Sequence, residues 1–212
     1  MVEEKLKVQS SNFEIGKAKT IKLPLTKEDV LSLNVGDPVL ITGRIVSGRD
    51  RLHKFFFNER PSEKEIPFDL KGTILYHCGP IIRRIEKGFK LISGGPTTSI
   101  RVEMYEHRII SDYGIRGVMG KGGMGAKTLE ALKENGCLYF HTISGAGVYL
   151  ADRVKKVVDV WKLEEFGMTE AMWVFDVEEF PAIVTMDARG RSIHEDIERL
   201  SFSRFKNLIG LK

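Results

Sequence analysis

Two glycine-flanked turns, each ending in a cation, are the segments of this chain best suited to chemistry. The first is Gly94-Gly95-Pro96-Thr97-Thr98-Ser99-Ile100-Arg101, and the second is Gly117-Val118-Met119-Gly120-Lys121-Gly122-Gly123-Met124-Gly125. Both follow short apolar runs, Leu91-Ile92 and Ile115 to Val118, so each is expected to leave the end of a strand. Glycine lets a backbone approach a bound group closely, and Pro96 stiffens the turn ahead of Thr97 and Thr98. Arginine offers a planar fork to a carboxylate or phosphate; lysine offers a mobile point charge. Hydroxyls, backbone N–H groups and two cations together describe a pocket for a small anion.

A third patch is Ser47-Gly48-Arg49-Asp50-Arg51-Leu52-His53. Its plain reading is a helix start, with Asp50 favourable in the first turn and His53 one turn in. Arg49, however, sits where a strand end meets a helix N-terminus, the same niche as the two glycine turns. Three such niches on one sheet edge could converge. His194 and Glu195 have no partner spacing and read as surface residues.

Gly120-Lys121-Gly122-Gly123-Met124-Gly125 satisfies the letters of the dinucleotide fingerprint, but the acid expected about 20 residues on is missing. The next strand ends His141-Thr142-Ile143-Ser144-Gly145 instead. A Walker loop fails because Ala126 separates Gly125 from Lys127-Thr128. An anion at the N-terminus of the helix opening at Ala126 is the better expectation.

The elements that must position these turns follow from periodicity. Residues 1–24 read as extended and exposed. Thr26 and Asp29 form a capping-box pattern opening a helix from Lys27 to Leu33. A strand is expected over Pro38–Val46, a helix from Asp50 to about Arg60, and a buried strand over Gly72–Cys78. Val102–Ile110 and Ala126–Asn135 read as helices, the latter closed by a left-handed Gly136. Gly114–Met119 and Leu138–Ile143 read as strands. Ser144-Gly145-Ala146-Gly147 leads to a helix with Leu150, Val154 and Val157 inward, and Trp173, Phe175 and Val177 alternate in a strand continuing to Met186. Asp187-Ala188-Arg189-Gly190 reads as a turn between strands, and Ile193, Ile197 and Leu200 mark a C-terminal amphipathic helix. This alternation argues an α/β domain with ligands at strand C-terminal ends.

Composition bounds the function. With 42% hydrophobic and 29% charged residues, the 212-residue chain is an ordinary globular one. Its net charge of +4 is spread among 29 acids with no run of five like charges, which argues against nucleic acid as a partner. Nothing approaches the roughly 18 apolar residues of a membrane span. The N-terminus lacks the apolar run of a signal peptide, so a cytoplasmic location is expected. Cys78 and Cys137 have no metal-ligand spacing and read as reduced core thiols.

The ordered set Gly48-Arg49-Asp50-x-x-His53, Gly95-Pro96-Thr97-Thr98-x-x-Arg101 and Lys121-Gly122-Gly123 resembles the β subunit of class I fumarate hydratases. That family includes the tartrate dehydratase β subunits and the C-terminal domain of single-chain fumarases. The resemblance runs from about Leu23 through Gly167-x-x-Glu170-Ala171-x-Trp173 and Phe180-Pro181-Ala182 to Asp187. Ser99-Ile100 departs from the Ala-Gly of the single-chain enzymes, which bears on pocket shape, and the stretch after Ile197 exceeds the family pattern.

The resemblance implies an α/β swivelling β/β/α fold in three layers. It implies a single domain over residues 1–212, with 1–20 and 198–212 as peripheral extensions. It further implies a partner α subunit carrying a [4Fe–4S] cluster on three cysteines, with one iron open to substrate and no metal on this chain. A small dicarboxylate substrate and a homodimer or α2β2 assembly go with it. By position, Arg49, Arg101 and Lys121 match the carboxylate clamps, Thr97 the base, and Thr98 a further substrate contact. Asp50, His53, Gly95 and Gly122 are supporting positions. The activity implied is reversible hydration of fumarate to (S)-malate, a tricarboxylic acid cycle step; tartrate dehydration is the alternative chemistry. A stand-alone anion- or nucleotide-binding module is the alternative of another class.

Overall fold

The structure, a computed structural model, describes residues 17–210. Its elements are β1 (Lys19–Lys22), α1 (Lys27–Ser32), β2 (Pro38–Gly48), α2 (Asp50–Glu59), β3 (Ile74–His77), β4 (Ile81–Ile85) and β5 (Gly88–Ser93). A 3-10 turn (Ser99–Val102) leads into α3 (Glu103–Tyr113), followed by β6 (Gly117–Gly120), α4 (Ala126–Asn135), β7 (Leu138–His141) and α5 (Gly147–Asp152). The chain finishes with β8 (Val154–Trp161), α6 (Leu163–Phe166), β9 (Met172–Met186) and α7 (Ile193–Leu208). Most elements expected from periodicity are present. The extended reading of 1–24 holds for β1, while residues 1–16 lie outside the described residues.

Seven strands form one sheet in the order β1-β2-β3-β6-β7-β9-β8, and β9 also pairs with β2. That second pairing closes β2, β3, β6, β7 and β9 into a barrel-like ring. Strands β2, β3, β6 and β7 run parallel, so their carboxyl ends share one edge. The 15-residue β9 runs antiparallel to β2 and β7 and fastens the ring. On one face α2, α3 and α4 pack Leu52, Phe56, Ile110 and Leu132 against Val46, Val118 and Tyr139. On the other, α1, α5 and the β4–β5 hairpin cover Ile45, Tyr76, Phe140 and Trp173.

Local chemistry explains the boundaries. The capping box at α1 is formed in full: the Asp29 amide donates to Thr26 Oγ1 at 3.1 Å and the Thr26 amide to Asp29 Oδ2 at 2.9 Å. Gly136 closes α4 at φ 61°, a conformation an L side chain resists.

Two expectations are corrected. The helix after Gly147 ends at Asp152, and Val154 and Val157 belong to strand β8. β-branched Val154, Val157, Val158 and Val160 suit a pleated surface, and β9 supplies the partner that a periodicity reading cannot see. The turn Asp187–Gly190 joins β9 to α7 rather than to another strand, with only an isolated Met186–Ser192 bridge across it. Helix α7 is capped by Ser192, but Ile197 and Leu200 are 57% exposed, so its apolar face is uncovered among the described residues. Among the described residues, no helix is long and apolar enough to cross a membrane.

Trp173 anchors the hairpin-side core. It is fully buried, meets Phe89 edge-on at 5.1 Å, and donates its indole N–H to the Met168 carbonyl at 2.8 Å. Trp173→Ala should therefore cost about 3–5 kcal/mol in urea unfolding, whereas a change within experimental error would mean that this core collapses around the loss.

Candidate functional site

The shared carboxyl edge carries the residues singled out by type and spacing. Gly48 ends β2, and Arg49 follows as the N-cap of α2 with extended backbone. The 94–101 turn crosses this edge after β5; the Thr97 amide donates to the His77 carbonyl at the end of β3 (2.8 Å). Lys121 directly follows β6, and its amide donates to the Thr97 carbonyl at 3.3 Å. Both backbone groups of Thr97 are thus committed to neighbouring strand ends, which fixes where its hydroxyl emerges.

Contacts run continuously along the edge. Arg101 Nη2 donates to Asp50 Oδ2 at 2.8 Å, and the same oxygen lies 3.8 Å from Arg49 Nη2. Gly79 leaves room for the Arg49 guanidinium, which a Cβ there would strike. Cys78, the residue before it, bridges Pro96 of the threonine turn. Thr98 bridges Lys121, whose Nζ reaches Ser144 Oγ at 3.4 Å after β7. Gly95 packs on Gly147, so the α5 N-terminus closes that side. The structure therefore brings Arg49, Asp50, Gly95, Thr97, Thr98, Arg101, Lys121 and Gly122 to one rim, with Arg49 and Lys121 half-buried and Thr98 and Arg101 exposed. Arg101 is held to Asp50 by an ion pair open to water, worth at most about 1 kcal/mol. A stronger acceptor can recruit it.

His53 lies apart from that rim, beneath it. It is fully buried, with Nδ1 at 2.7 Å from the Arg49 carbonyl and Nε2 at 2.8 Å from Glu106 Oε2. His77 Nε2 meets the same oxygen at 3.0 Å, and its Nδ1 lies 2.9 Å from Ser99 Oγ, which also accepts from the Tyr139 hydroxyl at 2.8 Å. Ser99 thus faces inward to this network rather than into the rim, so the departure at 99 alters the support and not the lining. Gly120 is required here, since a Cβ would collide with Ser99 Oγ. His53, His77 and Glu106 are of metal-ligating type and clustered, but both rings approach a single carboxylate oxygen at hydrogen-bond distance.

Charge follows from these contacts. Although burial pushes the other way, the two histidines hold the Glu106 carboxyl down to about 2. Glu106 raises the His53 pKa against its own burial, while for His77 burial wins and lowers it. Residue 106 was legible as an anomaly: it occupies the buried stripe Val102, Glu106, Ile109, Ile110 and Tyr113, where an acid needs a partner. His77, Ser99, Tyr139 and Ser144 carried no such signal.

Two further expectations change. The N-terminus of α4 already holds an anion, the chain's own Glu103. Its carboxylate accepts from the Gly125 amide (2.8 Å), the Thr128 amide (3.2 Å) and the Thr128 hydroxyl (2.6 Å). His194 is not a surface residue: it is half-buried, bonds Thr185 Oγ1 at 3.0 Å and stacks on His141 at 6.0 Å. It packs against Gly123, whose φ of 76° and missing Cβ make the contact possible. Glu195 is exposed, as expected.

Glu106→Ala should cost about 3–5 kcal/mol near neutral pH, because it strands a buried histidine partner. Glu106 titrates lower in the fold than its ordinary 4.5, so its contribution is full above that value and fades as pH falls toward 2. His53 titrates above its ordinary 6.5, so its share is full below 6.5 and fades as pH rises through the raised value. Unfolding of both proteins across pH should show a mutational cost that shrinks at both ends; a flat cost would contradict this.

Comparison with known proteins identifies the family. Residues 2–197 match the family described as Fumarase C-terminus. The chain is 48% identical over 186 residues to "Putative fumarate hydratase class I" of Geobacillus stearothermophilus, covering 87% of this chain but 35% of that protein. It is 39% identical over 188 residues to "Putative L(+)-tartrate dehydratase subunit beta" of Methanocaldococcus jannaschii, covering 88% of this chain and 96% of that protein. With "L(+)-tartrate dehydratase subunit beta" of Escherichia coli K12 the identity is 36% over 189 residues, covering 88% and 91%. The chain thus spans about a third of the first relative and nearly all of the other two. A chain so matched, with its cations and Thr97 on one strand edge, belongs to the fumarase C-terminus family.

Proposed function

We propose that this chain is the β subunit of an iron–sulfur hydro-lyase that interconverts fumarate and (S)-malate, completing its active site with an α subunit. The observation that carries the reading is the convergence of Arg49, Thr97, Arg101 and Lys121 on the edge where β2, β3 and β6 end. Three cations suit a substrate with two carboxylates, each charge-assisted bond contributing about 1.5–3 kcal/mol. The swivelling β/β/α architecture, an α2β2 assembly and a cytoplasmic, tricarboxylic acid cycle role belong to the same proposal.

The chain's own cysteines do not fit a cluster. Cys78 and Cys137 are fully buried in different cores, and burial pushes the Cys78 thiol up to about 12 and Cys137 higher still. In this reading a [4Fe–4S] group would be held by the partner and would supply Lewis-acid help to a departing hydroxyl. This chain does the rest. Arg49 and Arg101, linked by Asp50, form a pair of forks, and Lys121 supplies a mobile charge held near Ser144. In this reading the Thr97 hydroxyl exchanges the proton on carbon, its alkoxide stabilised by neighbouring cations. Thr98 orients the substrate from the exposed side of the turn.

A second reading, tartrate dehydration, is supported by the names of two of the relatives above, both tartrate dehydratase β subunits.

The test is an assay of the chain mixed with its α partner on malate, fumarate and both tartrate enantiomers. Turnover of malate and fumarate only with both subunits present supports the proposal; tartrate turnover alone would move it to the second reading, and dicarboxylate binding by the isolated chain without turnover in the mixture would favour a binding module. In the active mixture, Arg101→Ala should lower kcat/KM by about tenfold to a hundredfold with the fold retained. Lys121→Met should raise KM by a similar factor at unchanged iron content; loss of iron would remove Lys121 from substrate binding.

A further inference from the structure

We infer that Glu106 is a positioning residue that holds His53 as a buried imidazolium and, through His53 and His77, sets both the Arg49 and the Thr97 segments of the rim. The inference rests on the dicarboxylate-site reading above. Its basis is a donor–acceptor count. His53 Nδ1 faces the Arg49 carbonyl, which can only accept, at 2.7 Å. That nitrogen therefore carries a proton. His53 Nε2 faces Glu106 Oε2 at 2.8 Å, so the remaining proton lies on one or the other.

Three features put it on the ring. Imidazole is the stronger base in water, 6.5 against 4.5. His77 donates to the same Oε2 at 3.0 Å, which stabilises the carboxylate and not the acid. The Arg49 carbonyl, which also accepts from the His53 amide at 2.9 Å, stabilises the imidazolium. His77 is then neutral, donating from Nε2 and accepting the Ser99 hydroxyl at Nδ1, while Ser99 accepts from Tyr139. Every proton in the chain has one consistent direction, and the pair is neutral overall. Asp50 on α2 adds to the negative field at both rings.

The geometry explains what the pair does. The Arg49 carbonyl it grips is the N-cap of α2, from which the arginine side chain departs. The His77 carbonyl receives the Thr97 amide, and its ring holds Ser99 two residues further on. One carboxylate thus stands behind the two arms of the clamp, touching neither substrate nor rim.

The test uses the α–β complex with 15N-labelled histidine. At neutral pH the two His53 ring nitrogens should both be protonated, and His77 only at Nε2; a single protonated nitrogen on His53 overturns the inference without any variant. Glu106→Gln keeps the volume and can donate to a neutral His53, but it opposes the His77 Nε2–H and forces that ring to switch tautomer. We expect kcat/KM to fall about a hundredfold, with kcat sharing the loss, as for a displaced reacting group. Wild-type kcat and KM would overturn the role. Should that variant not fold, His53→Gln keeps a donor to Glu106 and removes the one to Arg49; unchanged kinetics there overturn it equally. An α–β complex inactive on malate, fumarate and tartrate would sink the functional reading instead, leaving the protonation result to stand on its own.

Discussion

Parallel pairing of β2, β3, β6 and β7 is the constraint from which the rest of the molecule follows. Strands that run one way deliver their exits to one edge, so residues far apart in sequence become neighbours. Arg49, Thr97 and Lys121 each sit within one residue of a strand end or bond directly to one. The antiparallel β9 makes this arrangement durable, because it pairs with β2 on one side and β7 on the other and closes the ring.

The rim and its support divide the electrostatic labour. At the rim, Asp50 holds Arg101 in a solvent-exposed pair that a ligand can replace at small cost. Below it, the His53–Glu106–His77 group is dry, where breaking one member is expensive. A weakly held outer layer and a rigid inner one suit a site that must accept and release a small dianion while keeping its geometry. Glu103 plays the parallel part for the lysine turn, satisfying the start of α4 so that it does not compete for the ligand.

Much of this was legible in the residues. Alternating apolar positions and capping signals located α1, α4 and the parallel strands, and glycine with proline marked the turns that became the rim. Strand β8 was misread because valines at 154 and 157 fit a helical stripe until β9 is known to pair with them. The Gly120–Gly125 turn was read as an anion site, yet its anion is internal, and nothing local distinguishes the two. The inner network is long-range: His53, His77, Ser99, Glu106 and Tyr139 come from five separate elements or turns. Glu106, an acid on an apolar stripe, was the one signal available, and it went unread.

One edge of this chain is proposed to grip both ends of a diacid presented by a partner. A crystal structure of the α–β complex with bound malate tests it most directly. The two carboxylates should lie on Arg49, Arg101 and Lys121, with the Thr97 hydroxyl against the carbon that loses its proton. Malate bound with those three cations still turned to Asp50 and Ser144, or held on another face of this chain, would contradict it.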